Sequence, residues 1–231
     1  MGKLIDLSVG LYNNMPAHAF FPSPILLPHT THEQAKAAGL GEPGDPMTYA
    51  TNYLSMLDHV GTHIDAFYHV NAKGETIDQM PLEMFTGPAV CFDLRHIPDL
   101  GPIDVKDMDE AERKARVTVA GHIVLLCTGF HRRHFPNREC VTHNPGLTAA
   151  ATHWLADRGN KLHGVEGPST DVGGTKPFPS HRVCRDRKMS HVEWLCNLEE
   201  LLGKGVFRFT AFPLKFIGGS GSPCRAVAEL P

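Results

Sequence analysis

The sequence predicts an α/β fold, and two features carry that prediction. Short apolar, β-prone runs recur along the chain: residues 4–11 (LIDLSVGL) alternate, residues 89–94 (AVCFDL) form a compact run, and residues 122–127 (HIVLLC) are almost continuously apolar, which suits a strand buried on both faces. Between and after them lie helix-prone stretches at 105–116 and 147–158. The 231 residues fit one domain, 1–231, with no internal repeat, low-complexity tract or interdomain linker. A chain of this length buries a core without covalent staples.

The elements follow in order. Residues 4–11 open as a strand, and Asn13-Asn14-Met15-Pro16 reads as a turn. A proline-rich loop then runs to Pro28 and carries Phe20 and Phe21. Residues 33–38 read as a short helix followed by a Gly/Pro loop, and residues 48–57 as a strand leading into 59–69. After His69 the chain turns at Lys73-Gly74, and 77–84 reads as loop with one helical turn. The charged stretch 105–116 is expected as a solvated surface helix. The basic cluster His131, Arg132, Arg133 and His134 is expected in a loop, either solvated or facing an anion. Residues 147–158 read as a helix with Asn144-Pro145 near its start and Gly159 at its end. Residues 162–165 read as a strand, followed by EGPSTD, where Glu166 and Asp171 are either turn residues or part of a pocket rim. Residues 206–227 read as two strands joined by a glycine-rich loop.

Residues 59–69, HVGTHIDAFYH, hold three histidines and one aspartate. In an extended strand, His59, Gly61, His63, Asp65, Phe67 and His69 share one face, and Val60, Thr62, Ile64, Ala66 and Tyr68 share the other. Every group able to ligate a metal then points one way. His63 and Asp65 would lie about 6.6 Å apart along the strand and can converge on one ion. His59 and His63 would be about 13 Å apart if fully extended, too far to share an ion through bonds of about 2 Å. The chain must bend between them, and Gly61–Thr62 is where it can. Imidazole with carboxylate suits a borderline-to-hard divalent ion, zinc or manganese. The plainer alternative is a set of polar residues on a sheet face. Four titratable groups on one face, opposite an apolar one, favour ligation.

This stretch resembles the signature H-x-G-T-H-x-D-x-P-x-H of the cyclase-like metal-dependent hydrolases, which include bacterial kynurenine formamidases, isatin hydrolases and some lactam hydrolases. Phe67 stands where that family has proline. Asp6-Leu7-Ser8, Met15-Pro16, Pro213-Leu214-Lys215 and Ser222-Pro223-Cys224-Arg225 resemble further family segments. The resemblance implies a swivelling β/β/α fold, a barrel-like sheet flanked by helices. It implies a first divalent metal on His59, His63 and Asp65 and a second on Asp65, His181 and Glu193, so zinc or manganese with one or two ions per chain. His191 competes locally with His181 as the distal ligand. The implied reaction is hydrolysis of a C–N amide bond by metal-generated hydroxide, with His69 as proton donor and shuttle. The bland reading of His69 is a group orienting Asp65 or a water. The expected substrate is a small cyclic amide or lactam, with an N-formyl arylamine as the alternative, and Phe20, Phe21 and Phe67 would suit such a planar molecule. The resemblance also implies a homodimer or homotetramer.

Composition narrows the rivals. A net charge of −3 offers no footprint for nucleic acid or an anionic membrane. No long apolar run and no signal-peptide pattern is present. The six cysteines form no CxxC pair and read as reduced thiols of a cytoplasmic protein. A non-hydrolytic cyclase acting on a polyketide-like carbonyl compound remains a rival on the same scaffold. A non-catalytic metal-binding protein is a second, although a storage site needs no spare His69. A serine or cysteine hydrolase ranks last, since there is no G-x-S-x-G and no cysteine in the motif.

Overall fold

The apolar run at 123–127 becomes a strand buried at every residue, in the middle of a nine-stranded sheet. The computed structural model describes residues 2–18, 21–39, 44 and 46–231. The chain opens with β1 (Leu4–Asp6), followed by β2 (Ile25–Thr30), α1 (His32–Ala37) and β3 (Thr51–Ser55). Next come β4 (His63–Asp65), α2 (Phe67–Val70), β5 (Thr86–Asp93), β6 (Pro102–Ile103), α3 (Val105–Ala115) and β7 (Ile123–Cys127). α4 (Phe130–His134), β8 (Gly146–Leu147), α5 (Ala149–Asp157), β9 (Leu162–Val165), α6 (Pro179–Arg187) and β10 (Ser190–Glu193) follow, and the chain closes with β11 (Phe207–Thr210), β12 (Gly221–Pro223) and β13 (Val227–Glu229).

The sheet order is β1-β13-β11-β5-β7-β9-β10-β4-β12. β5, β7, β9 and β10 pair in parallel, and the flanking strands pair antiparallel. The sheet curls strongly into a half-barrel with helices against it, which is the α/β, barrel-like architecture expected from the sequence. Alternation along β7 feeds two cores. Ile123, Leu125 and Cys127 enter one with Ile5, Ile64, Phe85 and Phe209. Val124 and Leu126 enter the other with Phe92, Met108, Trp154 and Leu155. Truncating Leu125, which is fully buried, would cost roughly 2–5 kcal/mol.

α3 starts at a capping box in which Asp104 accepts from Val105 N at 2.8 Å and Asp107 accepts from Asp104 N at 2.9 Å. It is not simply a solvated surface helix. Met108 and Ala111 are buried in the second core, and Asp109 takes the indole N–H of Trp154 at 2.7 Å. The basic cluster at 131–134 is also not a loop. It forms α4, whose Phe130 is buried, and Arg133 and His134 both bind Asp99, at 2.8 and 2.7 Å. Arg133 and His134 are thus held by Asp99. β2 and β3 pair only with each other and expose Ile25, Leu27, Tyr53 and Leu54. All six cysteines are free. Among the described residues, no helix is long and apolar enough to cross a membrane.

Candidate metal centre

The bend required between His59 and His63 is present. Gly61 adopts φ +59, a left-handed conformation that favours glycine. Thr62 locks the turn, donating to the Trp194 carbonyl at 2.6 Å and accepting from Val9 N at 2.9 Å. The turn folds His59 back until its ring centroid lies 5.0 Å from that of His63. β4 then lies between β10 and β12, and its antiparallel register sets His63 opposite Glu193. Strand pairing thus joins residues that are far apart in sequence.

The strand reading of 59–69 fails after Asp65. Residues 67–70 turn into α2, so Phe67 and His69 do not continue the strand face. Phe67 occupies the first helical position and packs against the first core rather than the cavity wall. Its expected contact with substrate is therefore corrected. The helical turn brings His69 back to the centre, with Nε2 3.7 Å from Asp65 Oδ2 and its ring 4.2 Å from that of His59.

His181 comes from the first turn of α6. Asp171 accepts from Ser180 N at 2.6 Å and from His181 Nδ1 at 2.5 Å, capping the helix and leaving Nε2 free. The other imidazoles are held in the same way. His63 Nδ1 bonds the Gly61 carbonyl at 2.8 Å. His59 Nε2 meets Ser220 Oγ at 3.0 Å, and Asp58 holds that hydroxyl at 2.7 Å. In each ring one nitrogen is secured and the other faces the carboxylates, the pattern by which proteins orient metal-binding histidines.

The free nitrogens converge on Asp65 and Glu193. His59 Nδ1 is 2.8 Å and His63 Nε2 3.4 Å from Asp65 Oδ1, and His63 Nε2 is 3.5 Å from Glu193 Oε2. His181 Nε2 is 3.7 Å from Asp65 Oδ2 and 3.9 Å from Glu193 Oε1. His191 Nε2 is 3.1 and 3.2 Å from the same two oxygens. Asp65 Oδ1 and both nitrogens of His191 are buried without an aligned hydrogen bond. Orphaned buried polar atoms are costly, and a cation among them would satisfy them. The donor set fits a divalent metal.

The electrostatics agree with dense packing of unlike groups. Burial works to raise the Asp65 carboxyl, but the His191 and His59 imidazoles hold it well below the carboxylate range. Burial works to lower His181, but Asp171 and Asp65 outweigh it and raise it to about 9. Burial lowers His69, against the pull of Asp65.

Above the cluster lies a cavity of about 410 Å³ with His59, His63, Asp65, His69, His181 and Glu193 on its surface. Its apolar wall includes Phe21, Phe178 and Trp194. Phe20 lies outside the described residues. Phe178 and Trp194 went unnoticed as pocket residues in the sequence. Both have left-handed backbones, φ +59 and +58, a conformation that costs a bulky residue roughly 1–3 kcal/mol. Asp58 and Ser220 were missed as well. Asp58 adjoins the motif, but nothing local links it to Ser220.

A buried His/Asp/Glu cluster that fits a divalent metal thus lies under an aromatic-walled cavity, with His69 beside it. The family described as "Putative cyclase" matches residues 5–172. The kynurenine formamidase of Paracidovorax citrulli is 31% identical over 228 residues, covering 94% of each chain. That of Delftia acidovorans is 31% identical over 208 residues, covering 89% of this chain and 90% of its own. Isatin hydrolase A from Ralstonia solanacearum superposes with a TM-score of 0.83 at 26% identity, over 99% of this chain and 92% of that one. The chain belongs to the cyclase family of metal-dependent hydrolases, and it is an enzyme of the amidohydrolase type.

Proposed function

We propose that the protein hydrolyses the C–N bond of a small aromatic amide, with an N-formyl arylamine as the first reading and a cyclic amide such as isatin as the second. The observation that carries this is the buried His/Asp/Glu floor beneath an aromatic wall, with His69 beside it. The order reverses the expectation from sequence. Kynurenine formamidases match at 31% identity over 94% of the chain, which favours the formamide, while the likeness to an isatin hydrolase at 26% supports the cyclic amide.

His59, His63 and Asp65 would hold a first divalent ion, zinc or manganese, and Asp65, His181 and Glu193 a second. When bound, such an ion polarises a carbonyl oxygen and lowers the pKa of water. The chain supplies the rest. Phe21, Phe178 and Trp194 hold a planar ring and exclude water from one side of it. Asp171, the Gly61 carbonyl and Ser220 keep the imidazoles in register. His69 Nε2 delivers a proton to the departing nitrogen. The same reading includes a homodimer or homotetramer, whose mass sedimentation would measure.

The test is hydrolysis of N-formylaniline and isatin by protein loaded with zinc or manganese, following formate release and ring opening separately. Cleavage is expected to vanish on chelation and return with metal. Failure of the loaded protein to cleave either amide would overturn the reading.

A further inference from the structure

We propose that His191 is a fourth protein ligand of the second ion, closing that site into a tetrahedral His₂/carboxylate₂ cage. The inference rests on the reading that this centre holds divalent metal, and goes beyond it in the ligand and in what the ligand excludes.

The geometry of the donors carries it. His181 Nε2, His191 Nε2, Asp65 Oδ2 and Glu193 Oε1 come from four residues whose ligand atoms all lie within 4.8 Å of one another. The four nitrogen-to-oxygen edges of this set are 3.1, 3.2, 3.7 and 3.9 Å. A tetrahedral ion with bonds of about 2.0–2.1 Å requires donors about 3.3–3.4 Å apart. The observed edges straddle that value. The two imidazole rings stand nearly perpendicular, at 84° with centroids 4.8 Å apart, so both nitrogens reach one centre without the rings colliding.

A second observation concerns how this nitrogen meets the two carboxylates. His191 Nε2 is close to both carboxylates yet makes an aligned hydrogen bond to neither, and it is buried. Its nearly equal distances to the two carboxylates, 3.1 and 3.2 Å, let it reach an ion placed between them. His191 also lies two residues before Glu193 on β10, on the same strand face. It does not line the cavity, whereas Asp65, His181 and Glu193 do. The imidazole therefore approaches the carboxylates from beneath the cavity floor and occupies the coordination position remote from the substrate.

A sphere filled by four protein donors keeps no open position, which is the arrangement of structural zinc sites. The set formed by His59, His63 and Asp65 has only three donors. Substrate and water would then meet an ion held by that set, while the closed cage would keep a buried charge that fixes Asp65. A closed tetrahedral cage of two imidazoles and two carboxylates also suits zinc or cobalt better than manganese.

The test uses the full chain, stripped with a chelator and titrated with Co²⁺ and Zn²⁺, with His191→Ala and the more conservative His191→Asn. Two ions per chain are expected for wild type, with the intense visible absorption of tetrahedral cobalt. In both His191 variants one ion should weaken by more than the roughly 10- to 100-fold that loss of an outer partner costs, and the tetrahedral band should fade. Melting in chelator and in metal guards against a folding artefact. A ligand role predicts that His191→Asn differs from wild type chiefly when metal is present. The same difference in both conditions would assign a hydrogen-bonding role and overturn the proposal. Unchanged affinity and cobalt spectrum in the variants would overturn it too, as would a single ion in wild type that His191→Ala leaves intact. No ion bound at all would overturn both this inference and the metal reading beneath it.

Discussion

Glu166 offers a test of the fold that is independent of the metal. Its carboxyl is buried at 2% exposure. Oε2 accepts from Thr128 N at 2.6 Å, Thr128 Oγ1 at 2.8 Å and Phe130 N at 3.2 Å, while Oε1 has no partner. Burial raises the carboxyl to about 7, with Glu199 adding to the rise and the Thr128 and Phe130 bonds opposing it. The folded protein therefore holds a proton that the unfolded chain, at an ordinary 4.5, has released. A raised carboxyl contributes stability that is complete below the unfolded pKa and lost as pH rises through the folded one. The loss runs from about pH 4.5 to 7 and amounts to about 3 kcal/mol. Glu166→Gln mimics the neutral form. It should match wild type near pH 5 and exceed it by up to that amount at pH 8, or roughly 6–12 °C in melting temperature for a chain of this length. Melting curves of both proteins in chelator at pH 5, 6, 7 and 8 measure the difference. Parallel behaviour across that range would refute a protonated, buried Glu166.

Other substitutions separate the roles within the site. His69→Ala should lower kcat by roughly 10²- to 10⁴-fold with metal content unchanged by elemental analysis; loss of metal would make it a ligand instead. Asp171→Asn removes the carboxylate that holds His181 Nδ1 at 2.5 Å, and should weaken one ion by roughly 10- to 100-fold in metal titration. Gly61→Ala combines φ +59 with a Cβ 2.5 Å from Leu11 Cδ2. It should lower stability by roughly 1–3 kcal/mol, read from denaturant unfolding, and loosen His59. Phe67→Pro restores the family residue at the first position of α2, where proline costs no helical hydrogen bond. Metal content should hold in elemental analysis while melting falls through lost ring packing.

What the sequence disclosed divides along one physical line, the range over which a constraint acts. Bond length and strand rise alone required a bend between His59 and His63, and glycine at 61 was the residue able to make it. The both-face burial at 123–127 was equally readable, because a run without polar residues has no face to turn to solvent. The four residues of α2 could not be read, since they are too few to display a 3.6-residue period and continue a two-residue alternation by coincidence. His69 nonetheless lies beside Asp65: four residues on, a helical turn returns it to the same side that an extended strand would have reached. Phe67 has no such second route, and its ring goes to the core. The aromatic wall escaped for another reason. Phe178 and Trp194 hold left-handed backbones that their side chains disfavour, so local preference argues against the conformation that tertiary packing imposes. The pairing of His63 with Glu193 depends on the order of nine strands, and no spacing between two residues encodes that. His191 belongs to the same category. Two residues from Glu193 it looked like a rival to His181, because one dimension forces a choice between them. The folded sheet brings β10 and α6 to the same carboxylates from different sides, so both histidines face Asp65 and Glu193 at once.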